Sequence, residues 1–355
     1  GLYGAEQVLL TLCKEQQQQG LHPIIVSCGL PNEPEKPIEQ AAKKQEIDLI
    51  CWRMSAGLNR NGTLALLREL NQQGVGLLHS HGYKFNILLG MLGRKKIGLP
   101  LVSTVHGYVK AKFPKKMWIY EFLDRIFLKR FDATVLVSEK MRKIPAFRNG
   151  KKIHVIKNGI ATQAPSVVST LEASPYQLLA IGRLSPEKGF EYLVRAVAEL
   201  NQTQTFCQLT IFGEGALRHH LETLVKDLGQ QENIKFSGFV ADAQQYFHQY
   251  QLIVMPSLTE GIPVTLLEAM RNKTPIIASA VGGIPEVLGA KSVGLMIPAE
   301  ADAIAKKLRE WSVLSSENKE KYVEDNFLMF LRNFSAQAMA NNYLNLYSSL
   351  RGTHK

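Results

Sequence analysis

The chain has 355 residues, 45% hydrophobic and 21% charged, with 42 Lys and Arg against 31 Asp and Glu for a formal net charge of +11. That length exceeds one ordinary core, so two domains are expected, and the composition is that of a globular protein rather than a disordered one. No apolar run approaches the roughly 20 residues of a membrane span, and the start of the chain lacks the basic-then-apolar pattern of a signal peptide.

In chain order, short apolar runs alternate with amphipathic stretches. The runs "LHPIIVSCG", "EIDLICWRM", "GLLHSHG", "LPLVSTVHG", "ATVLVS" and "KIHVIKNG" predict strands, and "GAEQVLLTLCKEQQQQG" and "GTLALLRELNQQG" predict helices between them. Near-continuous apolar strands separated by helices imply a parallel sheet covered on both faces. The stretch 161–175, rich in small residues and proline, reads as a linker. The alternation then restarts with "YQLLAIGRL", "CQLTIFGEG", "NIKFSGF", "QLIVMPS" and "TPIIASAVGG" as strands. Helices are expected over 186–201, 216–228, 242–250, 263–271 and 302–314. Residues 327–350 form one amphipathic helical pattern with Phe330, Phe334, Met339, Tyr343 and Tyr347 at apolar positions. Two consecutive α/β units predict two Rossmann-like domains facing a cleft, whose ligands sit beyond the carboxyl ends of the strands.

The charge is uneven. Residues 1–165 carry 25 Lys and Arg against 12 Asp and Glu, and 94–157 carry 17 against 4. A field of this kind implies an anionic partner: a membrane surface, nucleic acid or a phosphorylated substrate. Cys13, Cys28, Cys51 and Cys207 form no C-x-x-C pair. That spacing predicts free thiols in a reducing compartment and no structural metal.

The strand ends carry the candidate site residues. In "IGRLSPEKGF", Ser185 is a good N-cap and Pro186 suits the first helical position, so Arg183 and Lys188 flank an expected helix start. Free N–H groups with two fixed cations suit a diphosphate; a capped helix with two solvated charges is the bland reading. "EGIPVTLLEAM" has the same form, with Gly261 permitting an unusual turn and Pro263 opening the helix. Its free N–H groups come from Ile262, Val264 and Thr265. Glu260 precedes the start and Glu268 lies two turns in, so each acid can hold a different end of one ligand. Glu260 could equally be a favourable charge at a helix start, and Glu268 an ordinary exposed residue. Gly213 sits in a Gly-x-Gly turn, and the backbone of Phe239 and Val240 can pair with a base edge. The Gly pair in "SAVGGIPEVL" reads as a turn. In the first half, His79, His81 and His106 fall on two strand ends; metal binding is the rival use for them, but no acid lies nearby in sequence to complete a site.

With these motifs placed, the sequence resembles family 4 of the retaining glycosyltransferases, which have the GT-B fold. The E-x7-E spacing of Glu260 and Glu268, "GRLSPEKG", "GLYGAE", "STVHG" and "VIKNGI" carry the resemblance over nearly the whole chain. It implies an N-terminal acceptor domain over 1–165 and a nucleotide-sugar-binding domain over 175–330. A C-terminal helix over 331–355 would pack back on the first domain. The family begins with a central strand before the Gly-rich loop, where this sequence already starts, so that strand is expected to be lacking. The implied activity is metal-independent transfer of a sugar from a nucleotide-diphosphate donor, UDP preferred and GDP the alternative, to a glycan or lipid-linked acceptor, with no cofactor. His106 would contact the sugar, Gly4 the phosphates, Glu260 the sugar hydroxyls and Glu268 the ribose, with Arg183 and Lys188 on the diphosphate.

The stretch 110–130 mixes Lys and Arg with Phe113, Trp118, Ile119, Phe122 and Ile126. It suits a helix lying on an anionic membrane, or a core-facing helix with a solvated basic face. The expected location is the cytoplasm, at the inner face of the membrane. The rival functions are a sugar-nucleotide epimerase or hydrolase of the same fold, a sugar-nucleotide sensor, and a nucleic-acid-binding protein. The last leaves the second half unexplained and lacks a recognised module, so no nucleic acid is expected.

Overall fold

Apolar runs bounded by glycine and proline become parallel strands, and the amphipathic stretches between them become the covering helices. The computed structural model describes residues 4–107, 116–148, 150, 152–162, 175–202, 206–296, 298 and 300–351. Most of the expected linker and residues 110–115 of the basic stretch lie outside them. The chain divides into two units, one of 1–161 with 333–355 and one of 162–332.

The first unit contains α1 (Gly4–Gln18), β1 (Ile24–Gly29), α2 (Pro37–Lys44), β2 (Asp48–Arg53), α3 (Arg60–Gln72), β3 (Leu78–Ser80), α4 (Tyr83–Leu92), α5 (Arg94–Ile97), β4 (Leu101–Val105), α6 (Lys116–Phe127), β5 (Ala133–Leu136) and β6 (Ile153–Val155). The strands are parallel in two hydrogen-bonded groups, β1-β2 and β3-β4-β5-β6. β4 and β5 are buried at every position, which is why they read as unbroken apolar runs.

The second unit contains β7 (Tyr176–Ile181), α7 (Phe190–Leu200), β8 (Cys207–Phe212), α8 (Arg218–Asp227), β9 (Ile234–Gly238), β10 (Leu252–Met255), α9 (Val264–Arg271), β11 (Ile276–Ser279), α10 (Ile284–Leu288), β12 (Leu295–Met296), α11 (Ala301–Ser312) and α12 (Ser316–Asn333). Its sheet runs β12-β11-β10-β7-β8-β9, parallel throughout. The core joins this sheet to Leu193, Val194 and Val197 of α7 and to Leu308 and Trp311 of α11. Each such aliphatic side chain contributes about 1.5–3 kcal/mol through burial.

Two expected helices differ. The 186–201 pattern gives a 3-10 turn over Pro186–Lys188, and α7 starts only at Phe190. Ser185 does not cap it; its hydroxyl donates to Glu187 Oε1 at 2.6 Å. Gly189 takes a left-handed conformation (φ 67°) and separates turn from helix. Over 242–250 the structure has a 3-10 helix, Ala243–Gln249.

The single amphipathic pattern over 327–350 is two helices, α12 and α13 (Ala336–Arg351). The break falls at Ser335, which forms a parallel bridge with Ile160. Met339, Ala340, Tyr343 and Leu346 of α13 pack with Leu12, Val102, Ala133 and Val135 of the first unit.

Candidate functional site

Sheet order decides where to look. From β7 the chain steps outward to β8 and β9, then returns to the other side of β7 for β10, β11 and β12. β7 and β10 are therefore neighbours from which the chain leads in opposite directions along the sheet, the kind of switch point where α/β folds bind ligands beyond the carboxyl ends of their strands. Arg183 and Lys188 follow β7; Ser257 and Glu260 follow β10.

The Lys188 ammonium donates to Glu260 Oε1 at 2.6 Å, and the Ser257 hydroxyl donates to the same oxygen at 2.7 Å. The two charged side chains are 25% and 10% exposed, so water screens their attraction only in part. Glu260 Oε2 has no partner among the described residues. Arg183 is exposed, with no side-chain partner among the described residues.

Glycines let these loops approach. A Cβ on Gly189 would lie 2.2 Å from Pro256 O, and the Leu258 N–H donates to Glu187 O at 2.8 Å, so the β7 and β10 loops are stitched together. Gly282, at φ 58°, lies under Glu260: a Cβ there would fall 1.8 Å from Glu260 O. Its neighbour Gly283 donates N–H to Gly261 O at 2.8 Å. The Gly pair read as a turn thus also supports the Glu260 loop. Gly189 and Gly282 left no local signal because the carbonyls they make room for, Pro256 O and Glu260 O, are distant in the chain, whereas Ser257 stands only three residues before Glu260 and was missed because a serine after a strand is an ordinary loop residue.

Helix α9 starts at Val264, with Pro263 as its extended N-cap, one residue later than expected. Ile262 and Pro263 are half-buried and Val264 is exposed. Burial lifts the Glu268 carboxyl above its ordinary range, opposed by the Arg271 charge. At the next strand ends, the Gly213 N–H donates to Gly238 O at 2.7 Å. Phe239, which follows β9, is 80% exposed, and Val240 is half-buried.

In the first unit, His81 and His106 each stand one residue past adjacent strands, β3 and β4. His81 Nδ1 lies 3.0 Å from His106 Nε2. His79, within β3, contacts the Tyr347 hydroxyl at 2.6 Å through Nδ1 and Thr104 Oγ1 at 2.8 Å through Nε2. Burial lowers the pKa of all three histidines, that of His79 to about 3, so the cluster is neutral at neutral pH. Gly4 opens α1 and is exposed. Among the described residues no group of three His, Cys, Asp or Glu could hold a metal.

Helix α6 buries two acids and leaves part of its apolar surface exposed. Its acids Glu121 and Asp124 are buried, with Asp124 Oδ1 accepting from Asn86 Nδ2 of α4 at 2.7 Å. Its apolar residues Met117, Ile119, Phe122 and Ile126 are exposed. Trp118, Leu123 and Phe127 are half-buried, and a Cβ on Gly90 of α4 would lie 2.6 Å from Phe127 Cβ, so the helix packs on α4 while part of its apolar surface stays outside. Among the described residues no helix is long and apolar enough to cross a membrane.

Two family models match, the Glycosyltransferase Family 4 model over residues 3–164 and the Glycosyl transferases group 1 model over 166–327. An uncharacterized glycosyltransferase of Methanocaldococcus jannaschii, MJ1607, is 32% identical over 163 residues, 42% of this chain and 42% of that protein. The chain thus spans less than half the length of that curated relative. The UDP-Gal:alpha-D-GlcNAc-diphosphoundecaprenol alpha-1,3-galactosyltransferase of Escherichia coli is 23% identical over 67% of this chain and 66% of its own. Among solved structures, Anabaena Alr3699/HepE in complex with UDP superposes with a TM-score of 0.74, at 18% identity, covering 98% of this chain and 96% of that one. That likeness shows the fold, the expected GT-B class of two α/β units built on parallel sheets.

Proposed function

Because the chain belongs to the family 4 glycosyltransferases, with a group 1 glycosyl transferase unit in its second half, we propose that it transfers a sugar from a nucleotide-diphosphate donor to a glycan or lipid-linked acceptor, retaining the anomeric configuration. UDP is the preferred carrier: a relative's name specifies UDP-Gal, and a structure of the same fold holds UDP. The observation that carries the reading is the meeting of Lys188 and Glu260 where the sheet order reverses.

The diphosphate lies against Arg183 and Lys188, Glu260 takes sugar hydroxyls through Oε2, and Glu268 holds the ribose. Backbone groups of Phe239 and Val240 meet the base, the Gly213, Gly261, Ile262, Pro263 and Val264 backbone lines the donor, and His106 and Gly4 keep the roles the family resemblance gives them. In the transfer step the bond from the anomeric carbon to the diphosphate oxygen breaks. The bond to the acceptor oxygen forms on the same face, and the acceptor proton passes to the departing diphosphate. The protein stabilises the negative charge that develops there, so two fixed cations serve where other enzymes use a metal.

The acceptor is lipid-linked by analogy with the diphosphoundecaprenol named for the relative, and the protein works at the cytoplasmic face of an anionic membrane. The exposed Met117, Ile119, Phe122 and Ile126 of α6 support this, because its acids are turned inward and Lys129 and Arg130 remain outward. Product analysis with a panel of UDP- and GDP-sugars tests the activity. Transfer that requires an acceptor is expected; sugar released or epimerised equally well without one overturns it in favour of a hydrolase or epimerase.

A further inference from the structure

The histidine cluster holds more than a sugar contact. Two neutral imidazoles in hydrogen-bond contact must bring one N–H against one lone pair, so whichever ring donates fixes the tautomer of both. His81 Nδ1 and His106 Nε2 are in such contact, with ring centroids 5.3 Å apart and planes 28° from parallel. His81 Nε2 is enclosed and has no partner among the described residues.

If His106 donated, the proton of His81 would sit on that enclosed nitrogen as an orphaned N–H. If His81 donates, the enclosed nitrogen carries only a lone pair. A buried N–H without an acceptor is the rarer arrangement. His79 offers His81 no alternative: its ring packs 4.1 Å from that of His81, and both its nitrogens are occupied by hydroxyls of Tyr347 and Thr104. Thr104 Oγ1 is in turn 2.7 Å from the Tyr343 hydroxyl, so α13 braces the stack.

The geometry points to His81 as a positioning residue that fixes His106 in its Nδ1–H tautomer, so that His106 meets a bound sugar as a hydrogen-bond donor rather than as a base. The sugar contact rests on the transfer reading above; the tautomer does not. A donor at this place agrees with a step in which the departing diphosphate takes the acceptor proton.

The test is long-range proton–nitrogen correlation NMR on the full chain, labelled with nitrogen-15 histidine, at neutral pH. His106→Gln assigns the His106 signals by their loss. The expected wild-type spectrum has a protonated, pyrrole-type Nδ1 and an unprotonated, pyridine-type Nε2 on His106. His81→Asn, whose amide can place an N–H at the Nδ1 position, should keep that pattern; His81→Leu, without a donor, should lose it. A protonated Nε2 on wild-type His106 overturns the inference however the variants fold, and an unchanged spectrum in His81→Leu removes the positioning role. No donor or acceptor is needed, so this failure is separable from failure of sugar transfer.

Discussion

Replacing Lys188 by alanine separates a structural ion pair from a transition-state contact. Its ammonium is 2.6 Å from Glu260 Oε1, with the two side chains 25% and 10% exposed. Exposed pairs contribute up to about 1 kcal/mol and broken buried pairs cost about 3–5 kcal/mol. This pair is intermediate, and Glu260 keeps the Ser257 hydroxyl, so Lys188→Ala should cost about 1–2 kcal/mol of stability. The effect on transfer should be larger, on the order of 100-fold or more in kcat, as for one lost donor to developing charge. Urea unfolding and steady-state transfer of Lys188→Ala, Glu260→Ala and the double variant measure both. Removing both charges should recover part of the stability, because neither partner is left alone, while turnover stays low. A folded Lys188→Ala with near wild-type turnover would refute the diphosphate role, and one whose activity returns in the double variant would reduce Lys188 to a partner of Glu260.

Gly282→Ala would set a Cβ 1.8 Å from Glu260 O, whereas Gly289, also at positive φ, faces open space. The first change should lower kcat/KM on the order of 100-fold by moving the Glu260 loop, and Gly289→Ala should cost about 1 kcal/mol of stability with activity kept; equal effects on activity would contradict the support role. Glu39, 1% exposed and paired through both oxygens with Arg53, is held at about 2 by that guanidinium, below its usual 4.5. A depressed carboxylate stabilises above its unfolded pKa, so Glu39→Gln should lose roughly 3 kcal/mol at neutral pH. The gap to wild type should close as pH falls from 4.5 towards 2, and a gap independent of pH would contradict the assignment. In liposome flotation with anionic lipid, Phe122→Glu should lower binding about tenfold, with wild-type binding weakening as salt rises; binding unaffected by salt and by the substitution would remove α6 as the docking face.

The parallel sheets were legible because strands buried on both faces, such as Leu252–Met255 and Ile276–Ser279, leave unbroken apolar runs. Lys188 and Glu260 were legible singly, each beside a strand end with turn residues. Their contact was not, since it depends on the reversal of strand order between β7 and β10. Gly189 carried an ambiguous signal: a glycine after Pro-Glu-Lys can lie in a helix or break one, and the proximity of Pro256 O decides. Ser185 had the right residue type for a cap but found Glu187 two residues on. In α6 the periodicity defined an apolar stripe without saying which side faced out; Asn86, 38 residues earlier, settled it by holding Asp124. The contact of His79 with Tyr347 spans 268 residues and left no local pattern at all.

In the proposed function the second unit grips a pyrophosphate with Arg183, Lys188 and nearby backbone amides. Calorimetric titration of the wild-type chain with UDP against uridine, and with GDP against guanosine, tests it directly. For the preferred base, the diphosphate should bind at least about 100-fold more tightly than the bare nucleoside, roughly 2.7 kcal/mol, with the advantage lost in Arg183→Ala/Lys188→Ala. A nucleoside that binds as well as its diphosphate, or a double variant that keeps the full advantage, would contradict the account.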